Sequence, residues 1–268
     1  MGTLTSPRTP SLSIAVAAVA VAAGMAGAAP LQAVSKDFTV SSAAPKARTV
    51  GCFEGDVMSG GFFGDLSGSR VIARTIRLTR TGRVRLRANN ISSPSTGEAS
   101  VHVYCANRFP DLVTRSRSRT LTRRDNAITV RCPGNSDAVW GGFRIPNAGP
   151  LPSESRRVHG DWWRVSFSLE GRSQATAFAH CAKLKRRISS ERRTEVLPGG
   201  STGAARARCP RGSKLISGGY RGQHRIAASK TTIVGGSEIA AGKWRAYGQA
   251  ATVNDSKLTA FAYCLDLN

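Results

Sequence analysis

Acidic residues are scarce in this chain of 268 residues, with 16 Asp and Glu against 39 Lys and Arg. The formal net charge is therefore +23 at pH 7. Aromatic residues are also few, at 6% of the chain. Few acids leave few carboxylate pairs for acid–base catalysis, and few aromatics leave little surface on which the bases of a nucleic acid could stack. The imbalance of charge favours negatively charged partners.

Motifs of catalysis and metal binding are absent from the sequence. It contains no zinc-protease, nucleophile-elbow, Walker or dinucleotide-binding pattern. The six Cys do not stand at the spacing of zinc ligands. We therefore expect a protein without enzymatic activity, cofactor or metal.

Long apolar runs are missing after the N-terminus. The one apolar run, at 12–23, follows a single cation, Arg8, and precedes the small residues Ala26-Gly27-Ala28. This order is typical of a secretory signal peptide with its cleavage site, and the run is shorter than the ~20 residues of a membrane span. We predict that residues 1–28 are a signal peptide and that the mature protein is secreted or extracellular, free or associated with the cell envelope. An uncleaved N-terminal anchor is the alternative.

Three copies of one unit fill the rest of the chain. Each copy has a first Cys, a Gly-Gly-aromatic motif eight or nine residues later, and a second Cys. The first Cys recur at intervals of 80 and 77 residues, and the second at intervals of 76 and 83. The motifs are Gly60-Gly61-Phe62, Gly141-Gly142-Phe143 and Gly218-Gly219-Tyr220. We predict repeat units at 29–106, 107–182 and 183–268.

Short runs rich in Val, Ile, Thr and aromatic residues, bounded by Gly, Pro, Asn and Ser, predict β-strands in these units. The segment 183–193 is the best helical candidate. The Gly-Gly pairs predict bulges or places where two backbones approach closely. The fold class that follows is all-β, with three homologous short-stranded units. They form either a pseudo-three-fold body, as in a β-prism or a β-trefoil, or three small sandwiches.

The six Cys suit three disulfides in an oxidising compartment, and they allow fifteen connectivities. Two connectivities respect the repeat. Pairing within each unit gives Cys52–Cys105, Cys132–Cys181 and Cys209–Cys264. The alternative gives Cys105–Cys132, Cys181–Cys209 and Cys52–Cys264. We favour the first, because each unit is then cross-linked around its own loop of ~50 residues, which stabilises it by about 4 kcal/mol.

The unit Cys-Pro-x-Gly, Gly-Gly-aromatic, Trp, Ala-x-Cys is most complete in the third copy. There it consists of Cys209-Pro210-Arg211-Gly212, Gly218-Gly219-Tyr220, Trp244 and Ala262-Tyr263-Cys264. This pattern resembles the β-rich repeats of secreted proteins of actinobacteria. The second copy has its Gly one residue earlier, and the first copy lacks the Pro and the Trp. The resemblance implies export and a β-rich repeat, and it implies no particular ligand.

Arginine is both abundant and regularly placed. Arg83, Arg85 and Arg87 alternate with apolar residues, so a strand there would carry three guanidinium groups on one face. Similar basic stretches lie in the predicted linkers near 115–124 and 183–193. Like charges at this spacing repel, so we expect counter-charges over them. The candidate polyanion-binding residues are Arg83, Arg85, Arg87, Arg115, Arg117, Arg119, Arg123, Arg124, Lys183, Lys185, Arg186 and Arg187.

His and Trp residues are the remaining candidates for chemistry. His102 and His180 lie on predicted strands that lead to the second Cys, where the third copy has Tyr or Ala, and this favours structural positions over a general base. Trp162 and Trp163 are adjacent, so a strand would direct one to the core and the other outward. Trp162 is therefore a candidate for stacking on a sugar ring, with packing against a neighbouring unit as the alternative.

The sequence predicts a secreted, non-enzymatic binding protein whose basic surface engages anionic polymers of the cell envelope or the extracellular space. Anionic glycans and lipid surfaces are the expected partners, and nucleic acid is disfavoured. Two alternatives stay open: a structural envelope or interaction protein whose charge only keeps it in solution, and a lectin-like carbohydrate binder. The oligomeric state is open as well.

Overall fold

The computed structural model describes residues 32–42, 45–66, 70–92, 96–107, 109–123, 125–146, 150–169, 171–225 and 230–267. The predicted signal peptide at 1–28 lies outside these residues. Within them the chain forms strands and no helix, which confirms the all-β prediction. The strands are β1 Gln32–Ser41, β2 Lys46–Val50, β3 Asp56–Gly64, β4 Val71–Leu78, β5 Val84–Asn90, β6 Thr96–Ala106, β7 Val113–Leu121, β8 Ala127–Arg131, β9 Asp137–Arg144, β10 Leu151–His159, β11 Trp162–Ser168, β12 Ser173–Ala182, β13 Ile188–Leu197, β14 Thr202–Ala207, β15 Ser213–Gly222, β16 His224–Arg225, β17 Lys230–Ala240, β18 Lys243–Ala250 and β19 Ser256–Asp266.

Two expectations about local structure are wrong. The helical candidate at 183–193 is a connection followed by the first part of β13, and the predicted linker near 115–124 is largely β7. Both strands pair along their full length with the last strand of their own unit, β7 with β12 and β13 with β19. A full antiparallel ladder outweighs the weak helical preference of a short basic segment.

Each unit divides six strands between two sheets. In the first unit the halves are β1-β6-β3 and β2-β5-β4, in the second β7-β12-β9 and β8-β11-β10, and in the third β13-β19-β15 and β14-β18-β17. Sheet I combines halves of units one and three, and the short β16 pairs with its β17. Sheet II combines halves of units one and two, and sheet III combines halves of units two and three.

The units join through three equivalent antiparallel junctions. β3 pairs with β17 in sheet I, β4 with β9 in sheet II, and β10 with β15 in sheet III. The residue pairs nearest the centre are Phe62 with Ser237, Ile76 with Phe143, and Ser155 with Tyr220. The junctions close a ring of three units around one shared hydrophobic core. This is the pseudo-three-fold alternative of the sequence prediction, in place of three separate sandwiches.

The Gly-Gly motifs make these junctions possible. The second Gly of each pair lies against a backbone carbonyl of the opposing strand: Gly61 against Ser237, Gly142 against Ile76, and Gly219 against Ser155. A Cβ atom at any of the three positions would overlap that carbonyl. Only glycine therefore lets the neighbouring units pair here, and the predicted close approach of backbones is confirmed. A shift of register precedes each motif, as the predicted bulges require.

The first Gly of each pair faces an indole ring. Gly141 lies against Trp163 of β11, and Gly218 lies against Trp244 of β18. The equivalent residue of β5 is Val84, and the indole that Gly60 meets comes instead from Trp140 of β9. The two sister units have Ser59 and Ser217 at the position of Trp140. Unit two therefore supplies the ring that unit one lacks.

Serine hydroxyls link the bulges of neighbouring units. Ser59 donates a hydrogen bond of 2.8 Å to the carbonyl of Ile216, and Ser217 donates one to the carbonyl of Val139. Ile216 and Val139 are the bulged residues of units three and two. The third link of this ring is missing because Trp140 replaces the serine of unit two.

The residue before each second Cys forms a second link between units. Tyr104 accepts a hydrogen bond from the backbone N–H of Ile239 (2.6 Å), and Tyr263 accepts one from Arg157 (2.7 Å). In unit two the equivalent His180 accepts the backbone N–H of Leu78 through Nε2 (3.2 Å). The predicted structural position of His180 is therefore confirmed.

The disulfides join Cys52 to Cys105, Cys132 to Cys181, and Cys209 to Cys264, with Cα–Cα distances of 5.8, 5.7 and 5.6 Å. This is the favoured pairing within units. The bonds lie at one end of the molecule, which we call the cysteine end. Three disulfides fit an oxidising environment outside the cytoplasm.

The exchange of Val84 and Trp140 predicts a coupled pair. Trp140→Ser should lower the free energy of unfolding by about 3–5 kcal/mol through the cavity that it leaves. Val84→Trp alone should lower it by about 1–3 kcal/mol, because a second indole overpacks the same space. The double variant should lose at least about 1 kcal/mol less than the sum of the two, as urea unfolding of all four proteins would measure. Additive losses of unfolding free energy would contradict the exchange. The control is Trp140→Ser combined with the distant Leu197→Ala, whose losses should be additive.

The hydroxyl of Tyr220 is buried and has no hydrogen-bond partner among the described residues. Units one and two have Phe62 and Phe143 at this position. Tyr220→Phe should therefore raise the free energy of unfolding by about 1 kcal/mol. Tyr263→Phe, which removes the acceptor of the Arg157 N–H, should lower it by about 1–2 kcal/mol in the same denaturation assay. Equal effects of the two variants would show that the hydroxyl environments do not differ.

Candidate functional site

Positive charge is distributed unequally over the three sheets. The strands of sheet II carry ten Lys and Arg and one acid, a net charge of +9. Those of sheet III carry nine cations and four acids, a net charge of +5. The six strands β1-β6-β3-β17-β18-β14 of sheet I carry five cations and four acids, a net charge of +1. Sheet II is therefore the most basic of the three sheets.

The outer face of sheet II, which points away from the core, carries a cluster of arginines. Val84 and Leu86 are buried while Arg85 is exposed and Arg87 half-buried, so the predicted alternation is present. Two arginines join them from neighbouring strands. Arg77 of β4 lies opposite Arg85 of β5. Arg144 of β9 lies opposite Thr75 of β4. We call Arg77, Arg85, Arg87 and Arg144 the outer-face cluster.

The outer-face cluster has no acidic partner among the described residues. Burial lowers the pKa of Arg77, and repulsion from Arg85, Arg144 and Arg80 lowers it further. The Arg77 guanidinium lies over the ring of Phe178, 5.7 Å from its centre. Asp137, the one acid on the strands of this sheet, bonds Arg157 of sheet III instead (2.7 Å). The counter-charge expected over the Arg83–Arg87 strand is therefore absent from the part of the chain that the structure describes.

The equivalent part of the outer face of sheet III holds a carboxylate. Glu154 bonds the Nε of Arg156 through one oxygen. Its other oxygen accepts the hydroxyl of Ser166 at 2.7 Å and lies 3.5 Å from the Nε of Arg164. The Glu154 side chain is only 8% exposed. Three donors of the sheet therefore hold one internal carboxylate.

On sheet I the positive charge of this part of the outer face is also neutralised by a carboxylate, but with different residues. Glu238 lies 2.9 Å from Nε2 of His102 and bonds Arg245. Burial by itself would raise the pKa of Glu238, but the hydrogen bond and charge of His102, together with Arg245, lower it overall. Sheet II is the exception among three equivalent surfaces.

The arginines of β7 lie elsewhere. Arg115, Arg117 and Arg119 stand opposite Ala179, Ala177 and Ala175 in the ladder with β12, on the side of the sheet that faces the core. They stay exposed because β7 is an edge strand. β7 is four strand spacings from β5, or ~19 Å. These arginines and those of β5 therefore do not form one surface, and Arg119 is paired with Asp125.

The other predicted cations lie near the two ends of the molecule. Lys183, Lys185, Arg186 and Arg187 are exposed in the connection from β12 to β13, at the cysteine end. Arg123 follows β7 at the opposite end, and Arg124 lies outside the described residues. The twelve predicted residues are thus spread over several surfaces.

Trp162 and Trp163 take opposite directions on β11, as predicted. Trp163 is buried, and its Nε1 donates to the hydroxyl of Ser155 (3.1 Å). Trp162 is half-buried beneath the Arg131 guanidinium, which lies 5.4 Å from the ring centre. Arg131 is held there by Asp161 (2.7 Å), whose pKa is lowered mainly by this hydrogen bond. One face of the Trp162 ring is therefore covered by its own unit.

Two open grooves border these surfaces. A groove of about 880 Å³ lies at the cysteine end of sheet II and includes Arg77, Arg80 and Arg83, together with Asp56 and Asp111. A groove of about 1090 Å³ on sheet III includes Glu154 and His224 with several cations. The ring nitrogens of His224 contact hydroxyls, those of Ser168 and Thr231, and burial lowers its pKa.

Sequence reasoning missed Arg77 and Arg144 because neither belongs to a basic run. Their signal is the repeat itself. Arg77 and Arg156 occupy the same position of β4 and β10, each opposite an arginine of the next strand. Arg144 and Arg221 each stand two residues after the second Gly of their Gly-Gly motif, so aligning the copies on these motifs would have placed them together. Arg77 and Arg156 stand five and four residues before Gly82 and Gly160, so the Gly of the following turn does not align them.

Comparison with known proteins adds no identification. No protein-family model matches the chain. No curated protein matches it either. The described residues form no helix long and apolar enough to cross a membrane. They also contain no group of three or more His, Cys, Asp or Glu that could hold a metal ion.

His180, beside the outer-face cluster, should make stability depend on pH. Burial, and then the charge of Arg77, lowers its pKa to about 3. Between the ordinary pKa of about 6.5 and this value, the unfolded chain binds a proton that the folded chain does not, so stability falls as pH falls through this range. The slope from this group reaches about 1.4 kcal/mol per pH unit.

His180→Tyr, the residue of the two sister units, should remove that slope, as urea unfolding at pH 4 to 7 would measure. His159→Gln, at an exposed histidine, should keep the slope of the wild type. A wild-type slope in His180→Tyr would contradict the assignment.

Proposed function

We propose that this protein is an exported, non-enzymatic protein that binds anionic polymers of the cell envelope or the extracellular space through sheet II. The observation that carries the proposal is the outer-face cluster of Arg77, Arg85, Arg87 and Arg144, which has no acidic partner among the described residues. Two sheets of the same architecture carry four acids each, so a uniform basic bias does not account for this concentration of charge.

The outer face suits a polymer better than a single small ion. Side chains on alternate residues of a strand stand ~7 Å apart, so Arg85 and Arg87 present a row of charges. Arg77 and Arg144 continue that row across two further strands. A chain with regularly spaced anionic groups can meet several of these arginines at once and release the ions condensed on it.

Among polyanions the surface favours acidic glycans. The Phe178 ring on this face is covered by Arg77, which leaves it unable to stack on a nucleic-acid base. The residues around the cluster are Thr and Ser more than large apolar groups, which disfavours insertion into a lipid surface. Export, inferred from residues 1–28 and compatible with the disulfides, supports an extracellular partner.

The rival function, a structural protein whose charge only keeps it in solution, has one feature in its favour. Arg115, Arg117 and Arg119 lie on an edge strand, where charged side chains prevent sheets from joining edge to edge. We assign that protective role to β7 and ligand binding to the outer face.

Polygalacturonate binding at increasing salt tests the proposal. The wild type should bind at low ionic strength, and the logarithm of the association constant should fall linearly with the logarithm of salt concentration. Arg77→Gln, Arg85→Gln and Arg87→Gln combined should weaken binding at least about tenfold, or about 1.4 kcal/mol, and lower the salt slope.

Two variants with the same loss of charge serve as controls: Arg115→Gln, Arg117→Gln and Arg119→Gln, and Lys183→Gln, Lys185→Gln and Arg187→Gln. Both should stay within about threefold of the wild type, since ~0.6 kcal/mol is expected of charges outside the site. Equal losses of affinity in all three variants would show that binding depends on the total charge and not on the outer-face cluster. Absence of binding by the wild type at low salt would refute the function.

A further inference from the structure

At a place where three arginines of sheet II have counterparts on sheet III, sheet III has a glutamate and sheet II has a threonine. In the ladders of sheet III, Glu154 lies opposite Arg221 on one side and Ser166 on the other. In sheet II the residue with the same two neighbours is Thr75, opposite Arg144 and Arg87. The repeat therefore places Thr75 where the sister sheet has its carboxylate.

The donors around that position are retained. Arg77 and Arg85 of sheet II are opposite each other in the ladder, as are Arg156 and Arg164 of sheet III. Arg156 and Arg164 are the two arginines that hold the Glu154 carboxylate. Ser166, the third donor to Glu154, is replaced by Arg87. Sheet II therefore has an arginine at each of the three donor positions and no acid between them.

We propose that the outer-face cluster around Thr75 is a subsite for one carboxylate of an acidic sugar, which takes the place that Glu154 fills on sheet III. The inference rests on the function proposed above and names the chemical group that the site recognises. Arg77 and Arg85 bind the two oxygens of the uronate carboxylate, as Arg156 and Arg164 bind those of Glu154. Arg87 and Arg144 flank it and contact the neighbouring anionic groups of the polymer.

A carboxylate fits the site better than other oxyanions, because the sister sheet shows the arrangement accepting one. Each oxygen of Glu154 lies next to one arginine Nε, that of Arg156 or that of Arg164. Paired guanidinium groups match a planar carboxylate closely. In sheet I the position of Arg77 is itself occupied by an acid, Glu238, which pairs with His102 and Arg245. Sheet II alone is left for a ligand from outside.

Thr75→Glu tests the subsite by giving sheet II the internal carboxylate of sheet III. Binding of glucuronate would be followed by NMR through the backbone amides of Thr75, Arg77 and Arg85. In the wild type these amides should shift in a saturable manner, and glucuronate should bind more tightly than inorganic phosphate or sulfate at equal ionic strength. Thr75→Glu should weaken glucuronate binding at least about tenfold and raise the melting temperature, because the new acid pairs with the arginines.

The reciprocal change should move the site. Glu154→Thr frees Arg156 and Arg164, so glucuronate should now shift the amides of those residues. The double variant Thr75→Glu, Glu154→Thr should bind on sheet III and no longer on sheet II. Thr75→Val, which keeps the size and removes only the hydroxyl, is the matched control and should bind as the wild type does.

The outcomes separate this inference from the function. If Thr75→Glu binds glucuronate as the wild type does, or if phosphate binds more tightly than glucuronate, the carboxylate subsite is wrong. In that case the proposed function would still stand if the variant Arg77→Gln, Arg85→Gln, Arg87→Gln no longer bound polygalacturonate. If the wild type binds no polygalacturonate at low salt, the function itself is wrong.

Discussion

The close approach of backbones at the three Gly-Gly motifs is the constraint on which the rest of the structure depends. Each second Gly admits the carbonyl of a neighbouring unit to within a distance that a Cβ atom would forbid. Because those contacts close a ring, no unit completes a sheet by itself. Every sheet is made of halves from two units, and every surface of the molecule is therefore shared between copies.

This sharing explains how a triplicated chain acquires one distinctive face. When a residue changes in one copy, it alters only the sheets to which that copy contributes. Thr75, Arg87 and Arg144 all lie on sheet II, whose halves come from units one and two. Unit three takes no part in that sheet, and sheets I and III keep the acids Glu238 and Glu154. The divergence of the copies is thus the source of the charge asymmetry.

The sequence was sufficient for the parts of the fold that depend on the repeat. The recurrence of the Cys left two connectivities, of which the favoured pairing within units is confirmed, and the Gly-Gly motifs predicted close backbone contacts. Alternation at 83–87 correctly placed three arginines outside a strand. It could not show which strands become neighbours, because the junctions join residues such as Ile76 and Phe143 from different units. Arg77 and Arg144 therefore escaped notice, and the β7 arginines were grouped with β5 although their side chains point to the other side of the sheet.

A cluster of arginines without acidic partners lowers the free energy of unfolding, so other interactions in the fold must compensate for it. Arg77 lies over the ring of Phe178, and its pKa is lowered by burial and then by repulsion from Arg85, Arg144 and Arg80. The disulfides limit the unfolded chain, and the inter-unit hydrogen bonds of Tyr104 and Tyr263 hold the other two junctions of the ring closed. Because these elements lie in the core and at the cysteine end, sheet II can remain positively charged without opening the junction between β4 and β9. The cluster lies on that junction itself, since Thr75 and Arg144 are one of its residue pairs. The buried pair of Ile76 and Phe143 and the hydrogen bond from Leu78 to His180 therefore hold the two strands together against the repulsion of the arginines.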